Sequence, residues 1–195
     1  MVKRRAGPPH AASAGEAPAA GYSTTAKSLH WLIVALVAAQ FVVSWLMPEI
    51  GRNTQPGPLI NLHFSLGAVI LFVMALRLAH RLHAPVAVSA IDSPRWERRT
   101  ADALHRLFYF LLIAGPFLGW ASASAHNLPA TVFGLFTLPN LAAPRARWAL
   151  TAGDIHKVAM WTVLALIVLH VGAALYHHFV RRDRVLQRML PASSG

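Results

Sequence analysis

His156 and His170 stand fourteen residues apart in DIHKVAMWTVLALIVLHVGAALYHHF, a run that holds little besides Leu, Val, Ile, Ala, Met and Trp between them. Wound as one helix at about 100° per residue, they fall about 40° from eclipsed, so both leave nearly one face, about 21 Å apart along the axis. A polar side chain inside so apolar a helix is costly unless it faces the interior of a bundle and finds a partner there. Two imidazoles at this spacing suit two metal centres, one near each membrane surface. The plainer alternative is two histidines hydrogen-bonded across helices.

Three other apolar runs carry chemistry at their ends. His30 opens LHWLIVALVAAQFVVSWLM, His63 opens LHFSLGAVILFVMALRLA, and His105 begins the third. Arg77 follows His63 by fourteen residues, on nearly the same face at the other end. It either snorkels to the surface or turns inward to hold an anionic group. The chain has no cysteine, which excludes disulfides, iron–sulfur clusters and the covalent attachment of a c-type haem. Any metal must then rest on the eleven histidines or the seven carboxylates.

The elements that position these residues follow from composition. With 195 residues, 55% hydrophobic and 13% charged, the chain is too apolar for an ordinary soluble domain. It holds four candidate spans, about 28–47, 62–79, 104–123 and 154–178, each near the length a bilayer requires. The fold class expected is an all-α membrane protein, a four-helix bundle. Residues 1–21, rich in Ala, Gly and Pro, read as a disordered tail ahead of a single domain over 22–190. Pro48 ends the first span, and Pro56, Gly57 and Pro58 mark a turn. Pro85 to Thr100 reads as a polar connection. Pro116 should kink the third span. The connection from His126 to Gly153 is too apolar for a solvated loop, and Pro129 and Pro139 argue against a fifth span, so it should lie over the end of the bundle.

Charge orients the bundle. Of the eighteen Lys and Arg, only Arg52, Arg145, Arg147 and Lys157 fall on the side of the second and fourth span starts. The other fourteen share a side with both termini, which the positive-inside rule makes cytoplasmic. The net charge of +11 is thus accounted for by membrane topology and contact with lipid, without nucleic acid. The arrangement expected is multi-pass, with both termini inside.

Depth then pairs the histidines. His30 and His170 belong toward the cytoplasmic surface, His63 and His156 toward the periplasmic one. Two His–His pairs at two depths are what two bis-imidazole b haems require, each iron taking one imidazole from each side. Zinc wants three or four protein ligands close together, and copper usually adds Cys or Met. His177 rivals His170, being seven residues on, but would lie about 31 Å from His156, at or beyond the hydrocarbon edge. His80, His83, His126, His177 and His178 read as interfacial.

The H-W of span one, N-L-H at span two, and D-I-H-K with L-H-V-G-A-A-L-Y-H-H-F and D-R-V-L-Q-R-M-L around span four resemble bacterial cytochrome b561. The resemblance runs from Tyr22 to Leu190. It implies a four-helix, dihaem, inner-membrane protein that exchanges electrons with quinone, and at least one member oxidises superoxide at the periplasmic face and reduces ubiquinone. The positions matching the family's haem ligands are His30, His63, His156 and His170. Lys157, although it follows the ligand position in D-I-H-K, is not counted as part of the motif, and the tail before Tyr22 exceeds the family core.

The activity expected is therefore transmembrane electron transfer through two non-covalent haem b groups, from superoxide or another periplasmic donor to ubiquinone. Arg77 is the candidate partner of a haem propionate. Lys157 and His105 are the candidate residues for anion capture and quinone protonation. The alternative is a haem b membrane-anchor subunit that relays electrons from a hydrogenase or dehydrogenase to quinone. A haem-free bundle such as a small transporter is the third reading.

Overall fold

The computed structural model describes residues 22–51, 53–83, 94–183 and 185–190. The tail over residues 1–21, Arg52 and most of the 85–100 connection lie outside the described residues. Four long helices, α1 (Thr24–Leu46), α2 (Pro58–His83), α3 (Arg95–Ala125) and α4 (Arg147–Tyr176), make the molecule, with a short antiparallel pair, β1 (Thr131–Val132) and β2 (Phe136–Thr137), between α3 and α4. A π-helical turn, His177–Arg181, continues α4.

The ends of α1 and the start of α2 have local reasons. Ser23 caps α1, its Oγ accepting from the Ala26 N–H at 3.2 Å. Met47 closes α1 ahead of Pro48, which disfavours helical geometry in the residue before it. Pro58 opens α2, where its missing N–H is one the first turn leaves unpaired in any case. The helices therefore outrun the apolar segments that define the spans. Pro58 belongs to α2 and not to the preceding turn, and Arg95, Arg98 and Arg99 form the first turns of α3 and not a connection. The apolar run marks the hydrocarbon, whereas the helix continues into the polar boundary. α3 runs through Pro116 without a break in the helix.

All four helices are long and apolar enough to cross a membrane. Their outer faces are apolar too, with Phe72, Phe110, Trp161 and Val168 exposed, as expected of helices facing lipid. The interior is thin by comparison. Ile33 and Val37 of α1, Ile70, Val73 and Met74 of α2, Leu112 of α3 and Val163 of α4 form the central cluster. A second cluster, Ala121, Ala125, Ala142, Ala149 and Ala152, is built of small side chains and brings α3 close to α4.

The α3–α4 connection folds over one end of the bundle. Ser65 of α2, 1% exposed, accepts from the Phe133 N–H at 2.8 Å and donates to the Asn61 carbonyl at 2.7 Å. Ser124 Oγ accepts from the Leu141 N–H at 3.1 Å, and Trp120 donates its indole N–H to the Pro139 carbonyl at 3.0 Å. We call this the hairpin end. At the opposite, terminal end the chain returns to its start: the Trp31 indole N–H donates to the Met189 carbonyl and Lys27 Nζ to the Leu190 carbonyl, each at 2.9 Å. Arg181 pairs with Glu97 of α3 at the same end.

Candidate functional site

At the hairpin end, His63 of α2 and His156 of α4 face each other with ring centroids 6.3 Å apart and planes crossed at 86°. His156 Nδ1 lies 2.9 Å from the Gly115 carbonyl. A carbonyl only accepts, so Nδ1 carries the proton and Nε2 keeps its lone pair. A Cβ on Gly119 would stand 3.3 Å from His156 Cε1, so the absence of a side chain there leaves room for the ring. Gln40 Nε2 lies 3.1 Å from His63 Nδ1. Both rings line a cavity of about 470 Å³ with Gln40, Phe41, Phe64, Met160 and the exposed Lys157 among its walls. Its size and largely apolar lining are those of a small-molecule or cofactor site.

At the terminal end, His30 of α1 and His170 of α4 have centroids 6.4 Å apart and planes crossed at 73°. His105 of α3 stands 5.4 Å from His170, centroid to centroid, and Phe108 stands 5.8 Å from it. His105 Nδ1 donates to the Ala101 carbonyl at 2.6 Å. Arg77 donates from Nε to the Tyr109 hydroxyl at 3.3 Å, while Arg81 lies over the Tyr109 ring. Arg77 Nη1 is buried and has no hydrogen-bond partner among the described residues. A buried guanidinium nitrogen without an acceptor is costly, and an anionic group would satisfy it.

The structure thus brings together His63 with His156, and His30 with His170, His105 and the Arg77 end of α2. His177 lies elsewhere, its Nδ1 bonded to Asp183. Burial pushes the Asp183 carboxyl up, but the hydrogen bonds from His177 and the Val185 N–H outweigh it and hold the group below the ordinary carboxylate range. His126 donates to the Ser122 carbonyl at 2.9 Å, and His80 approaches Ser23 Oγ at 3.4 Å. Gln40, Tyr109 and the Gly115–Gly119 stretch are the contributors that sequence reasoning did not single out. Gln40 had a signal, being the one amide side chain in the first span.

The donor chemistry narrows what the pairs can hold. Among the described residues no three His, Cys, Asp or Glu side chains cluster as a metal site. Two facing imidazoles suit a metal that brings its remaining ligands with it, as iron does in a porphyrin. The family model for prokaryotic cytochrome b561 matches residues 21–192. The chain belongs to the prokaryotic cytochrome b561 family. It is 30% identical over 175 residues to cytochrome b561 homolog 2 of Escherichia coli strain K12, covering 89% of this chain and 93% of that one. It is 30% identical over 178 residues to the probable superoxide oxidase CybB of Yersinia pestis, covering 89% and 98%. It is 27% identical over 173 residues to cytochrome b561 homolog 1 of Escherichia coli strain K12, covering 87% and 97%. A b561 cytochrome is a multi-pass inner-membrane electron-transfer protein that binds b haem, and the apolar helices and paired imidazoles of this chain fit that description.

Proposed function

We propose that this b561 cytochrome holds two b haems, one between His63 and His156 and one between His30 and His170, and that it oxidises superoxide and reduces ubiquinone. The observation that carries this reading is the pair of centroid separations, 6.3 and 6.4 Å. Two metal–nitrogen bonds of about 2 Å each, plus about 1.1 Å from each nitrogen to its ring centre, require about 6.2 Å. Direct hydrogen bonding between the rings would bring them closer. When bound, haem b supplies a one-electron iron centre.

The residues of the chain do the rest. The four imidazoles would hold the two haems in pairs, and a haem held between two imidazoles would supply outer-sphere electron transfer. The Gly115 carbonyl orients His156. Arg77 Nη1 would hold an anionic propionate of a haem bound at the terminal end. The distribution of Lys and Arg supports a cytoplasmic terminal end and a periplasmic hairpin end. Lys157, Arg145 and Arg147 then draw a small anion to the periplasmic end, where superoxide gives up one electron and leaves as dioxygen. Two such electrons and two protons convert ubiquinone to ubiquinol. His105, its Nδ1 bonded to Ala101, keeps Nε2 free to pass a proton at the cytoplasmic end.

The relative from Yersinia pestis, named a probable superoxide oxidase, supports the choice of donor. The test is ubiquinone reduction by the purified protein under a steady superoxide source. Quinol formed in proportion to superoxide consumed is the expected result. A protein that carries haem yet is inert without a dehydrogenase or hydrogenase partner would instead be a membrane anchor subunit.

A further inference from the structure

Gln40 of α1 faces His63 across the hairpin-end cavity. Its Nε2 lies 3.1 Å from His63 Nδ1 and 3.1 Å from the His63 carbonyl oxygen, while its Oε1 is buried and has no hydrogen-bond partner among the described residues. The facing ring has no such choice, because the Gly115 carbonyl can only accept and so fixes the proton of His156 on Nδ1. An amide presents either a donor or an acceptor, according to a half-turn about its last bond. With Nε2 toward His63 Nδ1, the ring proton resides on His63 Nε2, and that nitrogen has no lone pair to give. With Oε1 toward Nδ1, the proton resides on Nδ1 and Nε2 is free to bind a metal. The same half-turn gives Oε1 the donor it lacks. It also takes Nε2 away from the His63 carbonyl and sets Oε1 beside that oxygen, a cost that metal binding through His63 Nε2 must offset.

We infer that Gln40 is the positioning residue of His63, its Oε1 accepting from His63 Nδ1–H whenever the ring binds iron through Nε2. The inference rests on the two-haem reading above. A hydrogen bond to the outer nitrogen of a metal-bound imidazole fixes its tautomer and plane and raises its basicity. A more basic ligand favours ferric over ferrous iron and so lowers the potential. Gln40 thereby sets the potential of the hairpin-end centre and leaves the terminal-end centre alone, since it faces neither His30 nor His170.

The full-length protein, purified with haem b, tests this in the variants Gln40→Leu and Gln40→Glu. Redox titration and electron paramagnetic resonance of the ferric form are read, and His63→Ala identifies which signal belongs to the hairpin end. Gln40→Leu is expected to raise the hairpin-end potential and alter its ferric signal, and Gln40→Glu, a stronger acceptor, to lower that potential below the parent. The terminal-end centre should be unchanged in both, which also reports that the variants fold. A hairpin-end centre indifferent to both substitutions overturns the inference, as does an upward shift in Gln40→Glu, which would make Gln40 a donor. If the parent protein binds haem at neither pair, the two-haem reading falls and takes this inference with it. A parent with two haems and indifferent variants removes the role of Gln40 alone.

Discussion

His63 and His156 stand opposite each other across the bundle with their rings crossed at 86°, and His30 and His170 repeat the arrangement at 73°. The four belong to three helices, and α4 contributes one partner to each pair. A single helix therefore sets the separation of the two sites, about 21 Å by its rise over fourteen residues. Crossed rings are set by the Gly115 carbonyl on one side and Gln40 on the other at the hairpin end.

Removing one ligand should remove one haem. His63→Ala and His156→Ala should each lose the hairpin-end haem, and His30→Ala and His170→Ala the terminal-end haem, read by haem content per chain and redox titration. His177→Ala should keep both, because His177 is engaged with Asp183. Loss of a haem in His177→Ala with both retained in His170→Ala would contradict the pairing.

Gly119 is the second point of leverage on His156. A Cβ there already comes within 3.3 Å of the ring, so the branched side chain of Gly119→Val must displace it. We expect hairpin-end haem occupancy to fall selectively, with an overpacking cost of about 1–3 kcal/mol in thermal or denaturant stability. Full occupancy in Gly119→Val would show that the ring has room to move.

Arg77 ties the terminal-end site to charge. With Nη1 buried and without a partner among the described residues, Arg77→Leu should lower the midpoint potential of the terminal-end haem, because removing a nearby positive charge favours the oxidised iron. The hairpin-end potential should hold. No shift in either would return Arg77 to a side chain that merely reaches the membrane surface.

Much of this arrangement is legible in the chain because the membrane simplifies the reading. Apolar runs of span length leave few places for a polar group, and the i, i+14 spacing of His156 and His170 gives both facing and depth. The helix ends were less legible, since Pro58 and Arg95 begin helices in polar sequence where hydropathy carries no signal. Gly119 and the Gly115 carbonyl could not be found from sequence, because a missing side chain and a backbone oxygen become site features only once α4 lies against α3. Ser65, the anchor of the hairpin, pairs with a residue 68 positions away, a contact no local pattern encodes.

Lys157 lies next to His156 and lines the same cavity. If the hairpin end collects superoxide, haem reduction by superoxide should slow as ionic strength rises, since screening weakens steering. Lys157→Glu should slow it further, on the order of tenfold at low salt, and flatten the salt dependence without loss of haem. A rate indifferent to both would point to a protein donor at this end.

The most direct measurement is the haem content of the purified chain by pyridine haemochrome, taken together with the ferric electron paramagnetic resonance spectrum. Two b haems per chain are predicted, both low-spin because each iron has two imidazoles. Both signals should be strongly anisotropic, as the crossed ring planes of 86° and 73° require. One haem per chain, or a high-spin ferric signal from an iron with an open axial position, would contradict the account.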